Sequence, residues 1–317
     1  MVAAKDGLAH PRILVVGEGM LELSESTTES WKLGYGGDTL NTAIHLARLG
    51  CRVTYATALG TDSFSDMLRD AWRAEGLNTD FIMTDPEHNP GLYAIKNSSE
   101  GERSFVYWRA QSAARHMFHH PDHRLIATAA ENVDLLLFSL ISLAILPSTG
   151  REALLELGPK VRASGGRVAF DGNYRPRLWN NVHEAKVARD AAIALCDFGL
   201  PTLDDEQALS RRARAEDVAA EWHARGARET VVKLGVAGCL VEGRVISPQR
   251  SLKPLDATGA GDAFNAGYLF ARLHGKSPAS ASISGHRLAG WTVMQRGGIP
   301  PITPDAPYSE LKRVGGS

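Results

Sequence analysis

The chain has 317 residues, 44% hydrophobic and 22% charged, enough to bury a full core without disulfide or metal staples and too apolar for a disordered chain. Lys and Arg number 35 against 36 Asp and Glu, and the net charge of −1 without long runs of one sign disfavours a nucleic-acid or anionic-membrane partner. Three scattered cysteines without a CxxC pair fit neither a disulfide framework nor a thiolate metal site, and no apolar run approaches the ~20 residues of a membrane helix. A reducing, cytoplasmic compartment is expected, since residues 1–10 also lack the apolar stretch of a signal peptide.

In chain order, the apolar run 12–17 ends at glycine and predicts a buried strand; similar runs follow at 52–60, 133–138, 166–171 and 229–235. Leu40, Ala43, Ile44 and Ala47 fall at helical spacing with Gly50 as a stop, and further helices are predicted from Asp62-Ser63 to Glu75 and over 148–163, 182–196 and 216–225. Strands alternating with helices indicate an α/β fold with a mostly parallel central sheet covered on both faces. No repeat or linker divides it, so a single domain over 1–317 is expected. Residues 91–96 and 102–109 break the rhythm as two strand-like runs joined by 97–101, a hairpin that would form a small β lid together with residues 21–35. By the strand period Phe105, Tyr107 and Arg109 share one face of the second strand, and Tyr93 and Ile95 share a face of the first. An apolar face of Tyr93, Ile95, Phe105 and Tyr107 would need cover, which predicts a homo-oligomer through the lids.

The most informative segment is Asp256-Ala-Thr-Gly-Ala-Gly-Asp262 and its continuation, where helical spacing begins at Ala260. Gly259, Ala260 and Gly261 then lie at a helix N-terminus, where unpaired amides and the positive end of the dipole attract an anion. Asp262 stands in the first turn as a candidate proton acceptor. From spacing alone, a carboxylate capping a helix packed on a strand explains the segment at least as well. In 34–50, Gly36 and Gly37 let amides approach a ligand, while Asp38 and Asn41, three apart on a first turn, can present an acceptor and a donor; an ordinary capped helix is the alternative.

Both segments resemble the signatures of the PfkB (ribokinase-like) carbohydrate kinases, and similarity extends from about residue 12 to about residue 300. The resemblance implies a ribokinase-like three-layer sandwich with a β-sheet lid, an anion hole at Gly259, Ala260 and Gly261, and Asp262 as catalytic base. It also implies sugar hydroxyls held by Gly37, Asp38 and Asn41. Gly101-Glu-Arg-Ser-Phe-Val-Tyr-Trp-Arg109 and Asn173-Tyr-Arg-Pro-Arg-Leu-Trp179 are similar to the branch that phosphorylates keto-deoxy sugar acids. There Tyr93, Tyr107, Arg109 and Arg175 would line the acid site, with an arginine fork for the carboxylate.

Asn173 and Arg175 would also approach the ATP phosphates, and Lys233, Gly235 and Gly238 resemble an ATP-contacting loop, although the family often has Thr or Ser where Lys233 stands. Mg²⁺ is expected with ATP; many members carry Asn-x-x-Glu for it, whereas 202–206 here reads Thr-Leu-Asp-Asp-Glu, which leaves the metal role open between Glu206 and Asp205. The expected reaction is transfer of the ATP γ-phosphoryl group to the 6-hydroxyl of 2-keto-3-deoxy-D-gluconate. The rivals are a PfkB kinase for keto-deoxygalactonate, fructose or ribose, and a non-catalytic sugar-acid-binding regulator. Gly17-Glu-Gly19 lacks the third glycine of a dinucleotide fingerprint, and His116, His119, His120 and His123 read as an exposed loop.

Overall fold

The computed structural model describes residues 10–27, 30–97 and 103–315. After β1 (Arg12–Val16) the chain leaves for β2 (Met20–Thr27) and β3 (Ser30–Gly36) and returns through α1 (Asp38–Arg48) to β4 (Arg52–Leu59). Asp62 opens α2 (Ser63–Ala74) by accepting the amides of Phe64 and Ser65 at 3.0 and 3.1 Å. β5 (Ile82–Thr84) precedes the hairpin strands β6 (Leu92–Asn97) and β7 (Arg103–Trp108), whose connecting turn lies outside the described residues. Two 3-10 turns, Ala113–His119 and Pro121–His123, lead to α3 (Arg124–Ala130) and β8 (Leu135–Ser139).

α4 (Leu140–Ile145), α5 (Ser148–Leu155) and α6 (Leu157–Ala163) follow. The single helix predicted over 148–163 is thus interrupted at Glu156. Pro159 supplies the reason, because it has no amide to offer Leu155 and its ring crowds that carbonyl. After β9 (Arg167–Asp171) come α7 (Val182–Ile193), β10 (Phe198–Gly199), α8 (Leu203–Ser210), α9 (Ala215–Ala224) and β11 (Glu229–Thr230). The strand expected over 229–235 is also divided: β11 pairs with β10, whereas β12 (Val232–Lys233) joins β13 (Cys239–Val241) and β14 (Arg244–Ile246) in a separate antiparallel sheet. Hydropathy does not record that change of partner, since both stretches are buried. α10 (Ala260–Leu273), α11 (Pro278–Thr292) and α12 (Tyr308–Gly315) complete the chain.

The central sheet has seven strands in the order β11-β10-β9-β8-β1-β4-β5, every pairing parallel. Alternate residues enter opposite cores, as the strand period requires. Leu14, Val16, Leu136, Phe138, Val168 and Phe170 pack with Leu140, Leu154 and Val161 on one face. Ile13, Val15, Leu135, Leu137 and Ala169 meet Leu40, Ile44, Phe264 and Leu288 on the other. The result is the helix–sheet–helix sandwich expected from the alternation. The lid is a four-stranded sheet, β3-β2-β6-β7, in which β2 and β6 run parallel and the outer pairings antiparallel.

The face expected to lie exposed is covered in part: Tyr93 and Ile95 are buried with Met20 against Phe105, while Tyr107 beside them stays exposed; on the opposite face Trp31, Leu33, Val106 and Trp108 are exposed. No helix among the described residues is long and apolar enough to cross a membrane.

Candidate active site

Open parallel sheets collect ligand-binding groups beyond the carboxyl ends of their strands. Here β1 leads into Gly17 and Glu18, β9 ends at Asp171, and the N-termini of α1 and α10 stand beside them. α10 starts from Gly259, whose φ of 72° is a left-handed conformation natural to glycine. A Cβ at that residue would stand 2.5 Å from Gly298 Cα. Gly298 is itself fixed: Nε2 of the buried His45 donates to its carbonyl at 3.0 Å, and Nδ1 accepts from the Tyr308 hydroxyl at 2.7 Å. Burial, helped by Arg48, pushes the His45 pKa down to about 3, so this histidine stays neutral and holds one tautomer.

The helix start leaves the amides of Gly261 and Asp262 without an acceptor among the described residues. A Cβ at Gly261 would have Lys233 Nζ, at 3.7 Å, as its neighbour from outside the helix, and Gly261 lines an open cavity. The Asp262 carboxylate, nearly enclosed, accepts from Asn41 Nδ2 at 2.8 Å, and the Thr42 hydroxyl donates to the Asp262 carbonyl at 3.2 Å. Burial drives the Asp262 pKa up to about 8, with the charges of Asp38 and Asp171 adding and the Asn41 bond and Lys233 opposing. Gly37 permits this junction because a Cβ there would collide with the Glu18 carbonyl oxygen.

Below the helix start Lys233 Nζ donates to Asp171 Oδ1 at 2.9 Å and to Asn265 Oδ1 at 3.1 Å, while Asn265 Nδ2 donates to Asp171 Oδ2 at 3.0 Å. A cavity of about 600 Å³ extends from this point, lined among others by Lys233, Gly235, Gly238, Ala260, Gly261 and Phe264. Lys233, Gly235 and Gly238 of the expected ATP loop and Ala260 and Gly261 of the expected anion hole therefore line one cavity.

The lid end is built from side-chain pairs. Arg109, buried at the end of β7, donates to the buried carboxylate of Glu18, and its guanidinium carbon lies 5.9 Å from the Tyr107 ring centroid. The Tyr93 hydroxyl donates to Glu22, and its ring stacks on Tyr107 with centroids 5.8 Å apart. Asn173 Nδ2 donates to Asp38 Oδ2 at 3.1 Å, which joins Asn173 to the first turn of α1. Arg175, half exposed, donates to the Tyr174 carbonyl at 2.7 Å and to Asp205 at 3.2 Å.

Of the two carboxylates left open for the metal, Glu206 is engaged by its neighbours: it accepts from the Arg189 guanidinium, from Trp222 Nε1 at 3.1 Å and from the Ser210 hydroxyl at 3.2 Å. Its neighbour Asp205 is the carboxylate turned toward Arg175, and burial raises its pKa. The glycines around Glu18 serve packing, since a Cβ at Gly19 would stand 2.5 Å from the Trp72 ring. His116 stacks on His88 rather than lying in an open loop, and the described residues contain no cluster of metal-ligating side chains. Glu18, Asp171 and Asn265 were not anticipated. A carboxylate closing the apolar strand 167–171 and a polar residue three positions after Asp262 are the signals that could have found the last two.

A family model described as pfkB family carbohydrate kinase matches residues 11–306. The chain is 44% identical to the 2-dehydro-3-deoxygluconokinase of Escherichia coli K12 over 92% of its own length and 97% of that protein's. It is 38% identical to the enzyme of the same name from Haemophilus influenzae, over 91% of this chain and 95% of the relative. Among solved structures, 2-dehydro-3-deoxygluconokinase from Thermotoga maritima superposes with a TM-score of 0.83 over 97% of this chain and all of that one at 20% identity, a likeness of fold.

Proposed function

The chain belongs to the pfkB family of carbohydrate kinases, and from that premise we propose that it transfers the γ-phosphoryl group of ATP to the 6-hydroxyl of 2-keto-3-deoxy-D-gluconate. The observation that carries the chemistry is the enclosed Asp262 carboxylate at the open N-terminus of α10, between the 600 Å³ cavity and the lid. A base with a pKa near neutrality is suited to taking the proton of an attacking hydroxyl. The amides of Gly261 and Asp262 stabilise the charge that gathers on the transferred group. ATP occupies the cavity past Lys233, Gly235 and Gly238, with its phosphates toward Gly259–Gly261.

Gly37, Asp38, Asn41, Tyr93, Tyr107, Arg109 and Arg175 bind the sugar acid. Arg109 and Arg175 answer its carboxylate, a partner that a neutral-sugar site does not need. Mg²⁺ takes oxygen ligands and usually only one or two carboxylates, and the partly buried Asp205 fits that requirement better than Glu206, which Arg189 already engages. When bound, the metal neutralises charge on the ATP phosphates. The exposed apolar face of the lid supports a homo-oligomer of at least two chains, and the protein works in the cytoplasm.

The test is ADP release with ATP and a panel of 2-keto-3-deoxygluconate, its galactonate epimer, gluconate, fructose and ribose. The gluconate-type keto-deoxy acid should exceed both neutral sugars by well over tenfold in kcat/KM, with only modest discrimination between epimers. A neutral sugar turned over equally well overturns the substrate assignment.

A further inference from the structure

The roles given so far leave one charge at the phosphoryl end unaccounted for. Lys233 is over nine-tenths buried, and its ammonium is taken from water at a cost that a single carboxylate partner does not routinely repay. An ammonium has three hydrogens to donate. Among the described residues, two are used, on Asp171 Oδ1 and Asn265 Oδ1. The third is uncommitted.

Where Nζ stands gives that hydrogen a destination. The nitrogen lies 3.7 Å from the point a Gly261 Cβ would occupy, and Lys233 itself lines the cavity. It therefore borders the same cavity as Gly261, whose amide has no acceptor among the described residues. Asp171 is aligned in turn, because its second oxygen accepts from Asn265 Nδ2 at 3.0 Å and Asn265 lies one turn beyond Asp262 on α10. The helix that carries the base thus also carries one of the two acceptors that aim the ammonium.

We propose that Lys233 is a catalytic residue: held by Asp171 and Asn265, its ammonium donates its third hydrogen bond to the phosphoryl group in transit. The assignment rests on the kinase reading above. In the step, the acceptor hydroxyl oxygen forms a bond to the γ-phosphorus and its proton passes to Asp262. The bond from that phosphorus to the β–γ bridging oxygen breaks, and its electron pair leaves with ADP. Lys233 exchanges no proton; it balances charge that grows on the phosphoryl oxygens, the function a fixed cation performs best in a water-poor site.

A purely structural ion pair is the competing account, and a pair of variants separates the two. Lys233→Met alone leaves Asp171 buried and unpaired, so it can fail for structural reasons. Lys233→Met combined with Asp171→Asn removes both charges together and keeps the core neutral. If Lys233 touches the phosphoryl group, the double variant folds normally, and its loss of affinity for ADP alone is much smaller than its loss of affinity for ADP with aluminium fluoride. Its kcat should nevertheless be lower by about 10²–10³-fold, the usual effect of removing one donor aimed at developing charge.

The acid limb of the pH profile provides a second readout. Asp262 is faced by Asp38 and Asn41 from α1, by Asp171 from β9, by Lys233 from β12 and by Tyr93 from β6. Removing only the lysine should move the limb upward, whereas the double variant should return it toward the parent while its rate stays low. Affinity for ADP with aluminium fluoride, which mimics the group in transit, needs no identified sugar, and both variants should lose at least tenfold of it. A double variant that recovers the parent's kcat and its aluminium-fluoride affinity overturns the proposal. A parent that binds ADP and aluminium fluoride tightly but phosphorylates no sugar acid overturns the substrate reading instead, and the affinity comparison still decides the role of Lys233.

Discussion

At the phosphoryl end positions are fixed by backbone, whereas at the lid end side chains are fixed by one another. Gly259 can occupy its left-handed conformation against Gly298 because it has no Cβ, and the open amides of α10 follow from that helix start. In the lid, Arg109 answers Glu18 and Tyr93 answers Glu22, pairs a ligand must compete with or recruit. The first arrangement is ready before substrate arrives, which suits chemistry common to every acceptor. The second can be re-partnered by changing a few side chains, which suits discrimination among acceptors.

Breaking the phosphoryl end should produce the largest effect. Asp262→Asn keeps an acceptor for Asn41 and removes the base, and kcat should fall by about 10²–10⁴-fold with ATP affinity nearly unchanged. In the parent, kcat/KM should rise with pH through about 8 as Asp262 ionises, and the variant should lose that limb. The same carboxyl sets a stability trend of definite sign. Its pKa is raised in the folded chain, so between the ordinary value of 3.8 and about 8 the folded state holds a proton that the unfolded state has released. Stability therefore falls as pH rises through that window and levels off above it. Asp262→Asn should flatten the trend, and Tm measured from pH 5 to 9 for both proteins checks it.

The lid pair gives the intermediate case. Loss of one partner of a buried charged hydrogen bond costs about 2–5 kcal/mol, so Arg109→Ala should lower kcat/KM for the sugar acid by roughly 30- to 5,000-fold. Because the change strands Glu18, a double variant, Arg109→Met with Glu18→Gln, keeps the test valid if the single one misfolds. Both should lose the acid far more than any neutral sugar in the panel. Equal losses on acid and neutral acceptors would show that Arg109 serves the lid and not the carboxylate.

The contrast between the two ends also explains what the sequence disclosed. Period-two runs and the glycines before Asp262 are local patterns, so the parallel strands, the lid strands and the start of α10 were readable. Lys233 and Asn265 lie 62 and 94 positions from Asp171 along the chain, and the three meet only because β9 and β12 end where α10 begins. Glu206 and Asp205 are adjacent in sequence, but a helix turns about 100° per residue, which sends one into a network with Arg189 and Trp222 and the other toward the site. In the lid, the strand period told which residues share a face but not which face the rest of the protein covers. Tyr93 and Ile95 were assigned to the exposed side for that reason.

The smallest catalytic effect should come from that exposed face. The register sets Trp108 beside Leu92 and Leu21, and Val106 beside Ala94, Leu23 and Leu33, all on the side of the lid away from Tyr93 and Tyr107. Trp31, Leu33, Val106 and Trp108 are 47%, 39%, 49% and 57% exposed, more apolar surface than a four-stranded sheet comfortably leaves in water. A second lid packed on this face would bury it, and a charge there would be forced into an apolar contact. Trp108→Glu should therefore convert an oligomer into a monomer by light scattering at micromolar concentration. Since the substituted side chain points away from the site, kcat should stay within about threefold, and any rise in KM should reflect a loosened lid. A parent that is already monomeric would remove the oligomer, and a large fall in kcat on dissociation would mean that the lid's outer face positions the chemistry after all.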